Sequence, residues 1–181
     1  MMFSSYYLFL FAFLSLTFLH TESSNVQPPD LIRSLCSETK NSTFCLDFLG
    51  HLYHSGENLR DLAQDLIQTS TNFLHFTYDD IHVREIETSN NPALNMKYHR
   101  CGVQYTAAVN ALIQSTNFLQ SGNYQKVFSL ASLAFEQPSN CDSNFNPPES
   151  EPADFKSINE KALDVCSIVL AVSKRLASGK A

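Results

Sequence analysis

Tryptophan is absent from this chain of 181 residues, glycine occurs five times, and there is no cluster of basic residues. Each shortage excludes something. Twelve Lys and Arg, none earlier than Arg33, stand against eighteen Asp and Glu. Phosphate backbones are held by clustered cations, so nucleic acid is not an expected partner. No G-x-S-x-G elbow, H-E-x-x-H pair or phosphate loop occurs. The usual signatures of serine hydrolases, zinc proteases and nucleotide binders are therefore missing. Neighbouring carboxylates such as Asp79 and Asp80 point about 100° apart on a helix and cannot work as a dyad.

Long apolar runs are equally scarce, and the one present opens the chain. Tyr6 to Leu19 is fourteen residues interrupted only by Ser15 and Thr17. As a helix it spans about 21 Å, short of the roughly 30 Å hydrocarbon core. Small polar residues, Thr21-Glu22-Ser23-Ser24, follow it. The layout predicts a secretory signal peptide over 1–24, cleaved near Ser23 or Ser24, with no membrane contact afterwards. The mature part, 25–181, then holds twelve Lys and Arg against seventeen Asp and Glu, a net charge of −5. Its length suits one domain.

Punctuation is uneven in what remains. The seven prolines (Pro28, Pro29, Pro92, Pro138, Pro147, Pro148, Pro152) fall in four places, with long proline-free runs between. Since Pro breaks helices and Gly weakens them, the spacing predicts long helices with short connections. Apolar periodicity agrees. Leu94, Tyr98, Cys101, Tyr105, Ala108, Leu112, Ser115 and Leu119 follow an alternating 4-3 step, the seam of a packed helix. Ile158, Ala162, Val165, Val169, Val172 and Leu176 repeat it. Leu59, Leu62, Leu66, Phe73, Thr77 and Ile81 do so less tidily, and Tyr124, Val127, Ala131 and Ala134 give a fourth, shorter piece. Four such helices predict an all-α, up-down-up-down bundle over 57–181. Ahead of it, 25–56 reads as a helical hairpin: Leu31-Ile32-Leu35 ends at Cys36, and a second short helix starting near Asn41 or Ser42 carries Phe44, Cys45, Phe48 and Leu49.

Five cysteines in an oxidising compartment predict two disulfides and one free thiol. Fifteen arrangements satisfy that count. Cys36 and Cys45 are near enough in sequence to clip the hairpin shut. Cys166 follows seam residue Val165, so its thiol flanks the core, and with no histidine in view it reads as packing rather than as a nucleophile. His75, Asp79 and His82 share a helix face at metal-like spacing but lack a fourth ligand, and read as a solvated stripe. His51 and His54 read as surface residues on one face of a short helix. No metal and no cofactor is expected. Asn41-Ser42-Thr43 is the one N-glycosylation sequon, and Asn41 serves equally well as a helix cap.

The ordered motifs resemble the plant invertase and pectin methylesterase inhibitor family. They are Leu31-Ile32-Arg33-Ser34-Leu35-Cys36, eight residues, then Cys45-Leu46-Asp47-Phe48-Leu49. Later come Tyr98-His99-Arg100-Cys101-Gly102-Val103-Gln104-Tyr105, Leu130-Ala131-Ser132-Leu133-Ala134 and Cys141-Asp142-Ser143-Asn144-Phe145. The resemblance covers nearly all of the mature chain. It implies a four-helix bundle with an N-terminal hairpin, and bridges Cys36–Cys45 and Cys101–Cys141. Cys166 is similar to the fifth cysteine of some cell-wall and vacuolar fructosidase inhibitors of the family. Members bind a target enzyme one-to-one, either an acid invertase or a pectin methylesterase, and block its substrate cleft.

The resemblance therefore implies a secreted enzyme inhibitor in the apoplast, or alternatively the vacuole, with no catalysis of its own. The Pro-Lys-Phe turn of well-studied invertase inhibitors is replaced here by Gly122-Asn123-Tyr124-Gln125-Lys126. That Gly-polar-Tyr turn is similar both to pectin methylesterase inhibitors and to invertase inhibitors with a fifth cysteine. The reading leans to acid invertase, with pectin methylesterase as the alternative and a non-inhibitory binding or signalling protein as the more distant one. Asn123, Tyr124, Gln125 and Lys126 are the expected target contacts, with Tyr124 as an exposed aromatic anchor.

Overall fold

The computed structural model describes residues 30–145 and 152–179. The expected signal peptide (1–24) and most of the proline-rich loop before the last helix lie outside these residues. Among the described residues there are six helices and no strand. Helices α1 (Asp30–Cys36) and α2 (Ser42–Leu52) form a hairpin. Helices α3 (Leu59–Glu87), α4 (Pro92–Gln120), α5 (Tyr124–Ser143) and α6 (Ala153–Ala177) form a closed four-helix bundle in which each packs on the next and α6 returns to α3.

The helices start where the backbone N–H groups are capped. Four in succession, α2 to α5, open on an asparagine: Asn41 accepts from the Phe44 N–H, Asn58 from Arg60 and Asp61, Asn91 from Leu94, and Asn123 from Lys126. Each satisfies donors that would otherwise lack partners in the first turn. Pro92 fits the first turn of α4, where no N–H is needed. Gly122 (φ 72°) turns the chain back into α5 in the left-handed region that side chains disfavour.

Three expectations from spacing need correction. In α3 the buried position is Leu74, with Phe73 only half-buried. The buried steps run Leu66, Ser70, Leu74, because a straight helix at 3.6 residues per turn drifts from a strict heptad and inserts an extra step of four. Pro138 does not end α5 but lies inside it, buried. Its carbonyl accepts from Asn159 Nδ2 at 3.0 Å, and Asn159 Oδ1 accepts from the buried Tyr105 hydroxyl at 2.7 Å. This polar chain through the core explains why buried Asn159, not half-buried Ile158, faces inward in α6.

Helix α6 is covered from two sides. The bundle takes the Ala162–Val165–Val169–Val172 seam, and the α1–α2 hairpin lies against its outer side. Arg175 Nη2 donates to Ser34 Oγ (2.9 Å) and Glu38 Oε1 (2.8 Å), and Asn41 Nδ2 donates to Asp164 Oδ2 (2.8 Å). At one end of the bundle Tyr98, Phe145 and Phe155 cluster with centroids 5.3–5.6 Å apart. Arg84 lies over Phe155 and is ion-paired to Asp80 and Asp154. Burial pulls its pKa down, but hydrogen bonds with Asp80, Asp154 and Tyr98 outweigh that and raise it.

Candidate functional site

The cysteines have structural positions. Cys36 is bridged to Cys45 and Cys101 to Cys141. The first bridge closes the hairpin, and the second ties α4 to α5 beside the aromatic cluster. Cys166 is free and wholly buried, and burial pushes its thiol up to about 12. A thiol in that state supplies no thiolate and reaches no surface.

Residues that look catalytic in sequence are not assembled. Among the described residues no three His, Cys, Asp or Glu side chains come together at metal-binding range. Asp80 is held by Arg84 Nε at 2.6 Å. His51 lies in the last turn of α2, whereas His54 falls beyond the end of that helix, so the two do not share a helix face as the spacing suggested.

In the turn 123–126 one expectation needs correction, the exposure of Tyr124. Asn123 caps α5, and Gln125 Nε2 donates to the Ala177 carbonyl at the end of α6 (3.0 Å). Tyr124 is half-buried against the core rather than projecting as an anchor. Lys126 is exposed. Three of these four side chains hold the bundle end together, which a motif comparison cannot show.

The exposed apolar surface lies elsewhere. Seven large hydrophobic side chains stand open among the described residues, and six belong to α3 and α4: Phe76 (74% exposed), Val83, Ile86, Met96, Val103 and Ile113. Between these two helices runs a furrow in two adjoining parts of about 270 and 240 Å³, sharing Tyr78 and Thr106. One part is walled by His82, Glu85, His99 and Val103, the other by His75, Asn110 and Ile113. Glu85 links the helices, with His99 Nδ1 2.9 Å from one carboxylate oxygen and His82 Nδ1 3.7 Å from the other. Unpaired apolar groups flanked by polar ones suit protein docking, not turnover. No sequence motif marks this face. Its signal is apolar residues off the seam, such as Val103 and Ile113.

Residues 30–172 match the family model described as plant invertase/pectin methylesterase inhibitor. The chain belongs to this family. Among curated proteins it is 30% identical over 154 residues to a pectinesterase inhibitor of Actinidia deliciosa, covering 83% of this chain and 81% of that one. It is 26% identical over 160 residues to pectinesterase inhibitor 2 of Arabidopsis thaliana, covering 88% and 91%. Two crystal structures of Arabidopsis pectin methylesterase inhibitors share the fold. One, a mutant form, aligns at TM-score 0.71 with 22% identity, over 79% of this chain and 95% of that one. The other aligns at 0.62 with 21% identity, over 83% and 98%. As a plant invertase/pectin methylesterase inhibitor, the chain is an inhibitor of a plant cell-wall enzyme and not itself an enzyme.

Proposed function

We propose that this protein is secreted after removal of residues 1–24 and inhibits pectin methylesterase outside the cell, in a one-to-one complex made by the α3–α4 face. The observation that carries the reading is the 30% identity, over most of both chains, to a pectinesterase inhibitor. The lean towards acid invertase has no support from these relatives, both of which are named pectinesterase inhibitors. Cys166 is wholly buried and offers no contact to a target.

Inhibition of this kind is steric. Helices α3 and α4 have 29 residues each, about 43 Å of rigid rod. That is ample for the ~800 Å² per partner of a stable protein complex. Ile113, open and lining the furrow from a rigid helix, is the natural anchor. The test is direct: the purified mature protein is titrated into assays of methanol release from methyl-esterified pectin and of sucrose hydrolysis by an acid invertase. The first activity should fall to a one-to-one end point while the second stays unchanged. Inhibition of invertase alone overturns the reading, and inhibition of neither favours a binding or signalling role.

A further inference from the structure

We infer that Asn41 carries an N-linked glycan whose first sugar lies in the cleft between the hairpin turn and helix α6. The inference rests on the secretory reading above, since the acceptor chemistry belongs to that compartment. The sequon residues Asn41, Ser42 and Thr43 are all exposed. Beside Asn41 a cleft of about 310 Å³ is lined by Lys40, Glu160, Leu163 and Asp164. That lies at the small end of the roughly 300–1,000 Å³ of small-molecule sites. Its composition suits a pyranose, with Leu163 offering an apolar floor and charged groups facing the hydroxyls.

Capping and glycosylation, alternatives on sequence alone, use different atoms here. The Asn41 Oδ1 accepts from the Phe44 N–H at 3.2 Å, and Nδ2 donates to Asp164 Oδ2 at 2.8 Å. In the transfer, Nδ2 attacks the anomeric carbon of a lipid-linked diphospho-oligosaccharide. The C–N bond forms, the sugar–phosphate bond breaks, the lipid diphosphate leaves and one amide proton is released. The product keeps Oδ1 for the cap and one N–H for Asp164, so the sugar adds to the fold without displacing it. Timing is favourable as well. Helices α1 and α2 have 7 and 11 residues, too short to persist before the Cys36–Cys45 bridge closes. The sequon is thus presented as flexible chain during entry to the secretory compartment.

Position predicts what the glycan leaves alone. Helix α6 lies across the bundle from α4, which meets α3 and α5, so the sugar stands clear of the α3–α4 furrow. The test is expression of the full chain in a secreting plant cell, with intact-mass and gel analysis before and after a peptide N-glycosidase. One glycan should be removed, leaving an aspartate in place of Asn41. Thr43→Ala and Asn41→Asp should abolish the shift, Thr43→Ser should keep it, and all should melt cooperatively. Inhibition of the target by the Thr43→Ala protein should equal that of the parent. A processed chain in the medium with bare Asn41 overturns this inference alone. A chain retained unprocessed in the cell overturns the secretory reading and this inference with it.

Discussion

Helix α6 and the α3–α4 face both carry more apolar surface than the bundle core consumes, and they treat it differently. In α6 five consecutive residues, Val165, Cys166, Ser167, Ile168 and Val169, are buried. Five positions in a row sweep the whole helix circumference, so one packed face cannot bury them. The second cover is the disulfide-closed hairpin, a piece of the same chain. On α3 and α4 the surplus, Phe76, Val83, Val103 and Ile113, has no such cover. The hairpin does for α6 what a partner enzyme is proposed to do for α3 and α4. An intramolecular cover contributes to stability, and an intermolecular one contributes to affinity.

The sharpest way to break this comparison is the same substitution on both faces. Ile168 shares a stripe with Asp164, Ala171 and Arg175, the side that meets the hairpin. Ile168→Asp should cost at least about 4 kcal/mol, because it buries an unpaired charge. Val103→Asp should change stability by no more than about 0.5 kcal/mol while weakening inhibition. Denaturant melts of both variants decide it, and equal losses would mean the α3–α4 face is also part of the fold. Opening the hairpin comes next. Replacing Cys36 and Cys45 together by alanine should cost about 2.7 kcal/mol for a loop of this length. Cys166, about 200° round the helix from Ile168 and so away from the hairpin, should stay unreactive to alkylation under native conditions.

Smaller effects sharpen the picture. Ile113→Ala should leave the melting curve nearly unchanged and weaken inhibition by about 1 kcal/mol, roughly fivefold. Titration calorimetry against pectin methylesterase measures it. Smallest is the latch at Glu38. The Arg175 hydrogen bond, with nearby Lys174, holds its carboxyl below the ordinary range. A lowered folded-state pKa stabilises above the unfolded value of about 4.3 and is lost as pH falls through the folded one. Glu38→Gln should therefore cost under about 1 kcal/mol at pH 6. The gap from the parent should close in melts near pH 3.

The bundle was legible because its signals are local and periodic. All eight positions named for α4 point inward, seven of them buried and Leu94 packed half-buried on the core. The proline at 138 misled because its N–H deficit is absorbed inside a packed helix and its carbonyl is used by Asn159. The half-burial of Tyr124 was not legible for a related reason. Exposure of Tyr124 cannot be read from a turn motif when the neighbouring helix ends decide whether the ring lies on the core.

By itself the sequence determined the helices, their seams and the absence of catalytic motifs, since these depend on residues a few positions apart. The family resemblance rests on the same ordered motifs. Only the tertiary structure decided which apolar residues off the seam are covered and which stay open. Ile168 and Val103 are both aliphatic residues on long helices; one lies beneath a hairpin from more than a hundred residues upstream, and the other faces solvent. Burial is a property of what arrives from elsewhere in the chain, and periodicity along one helix carries no record of it.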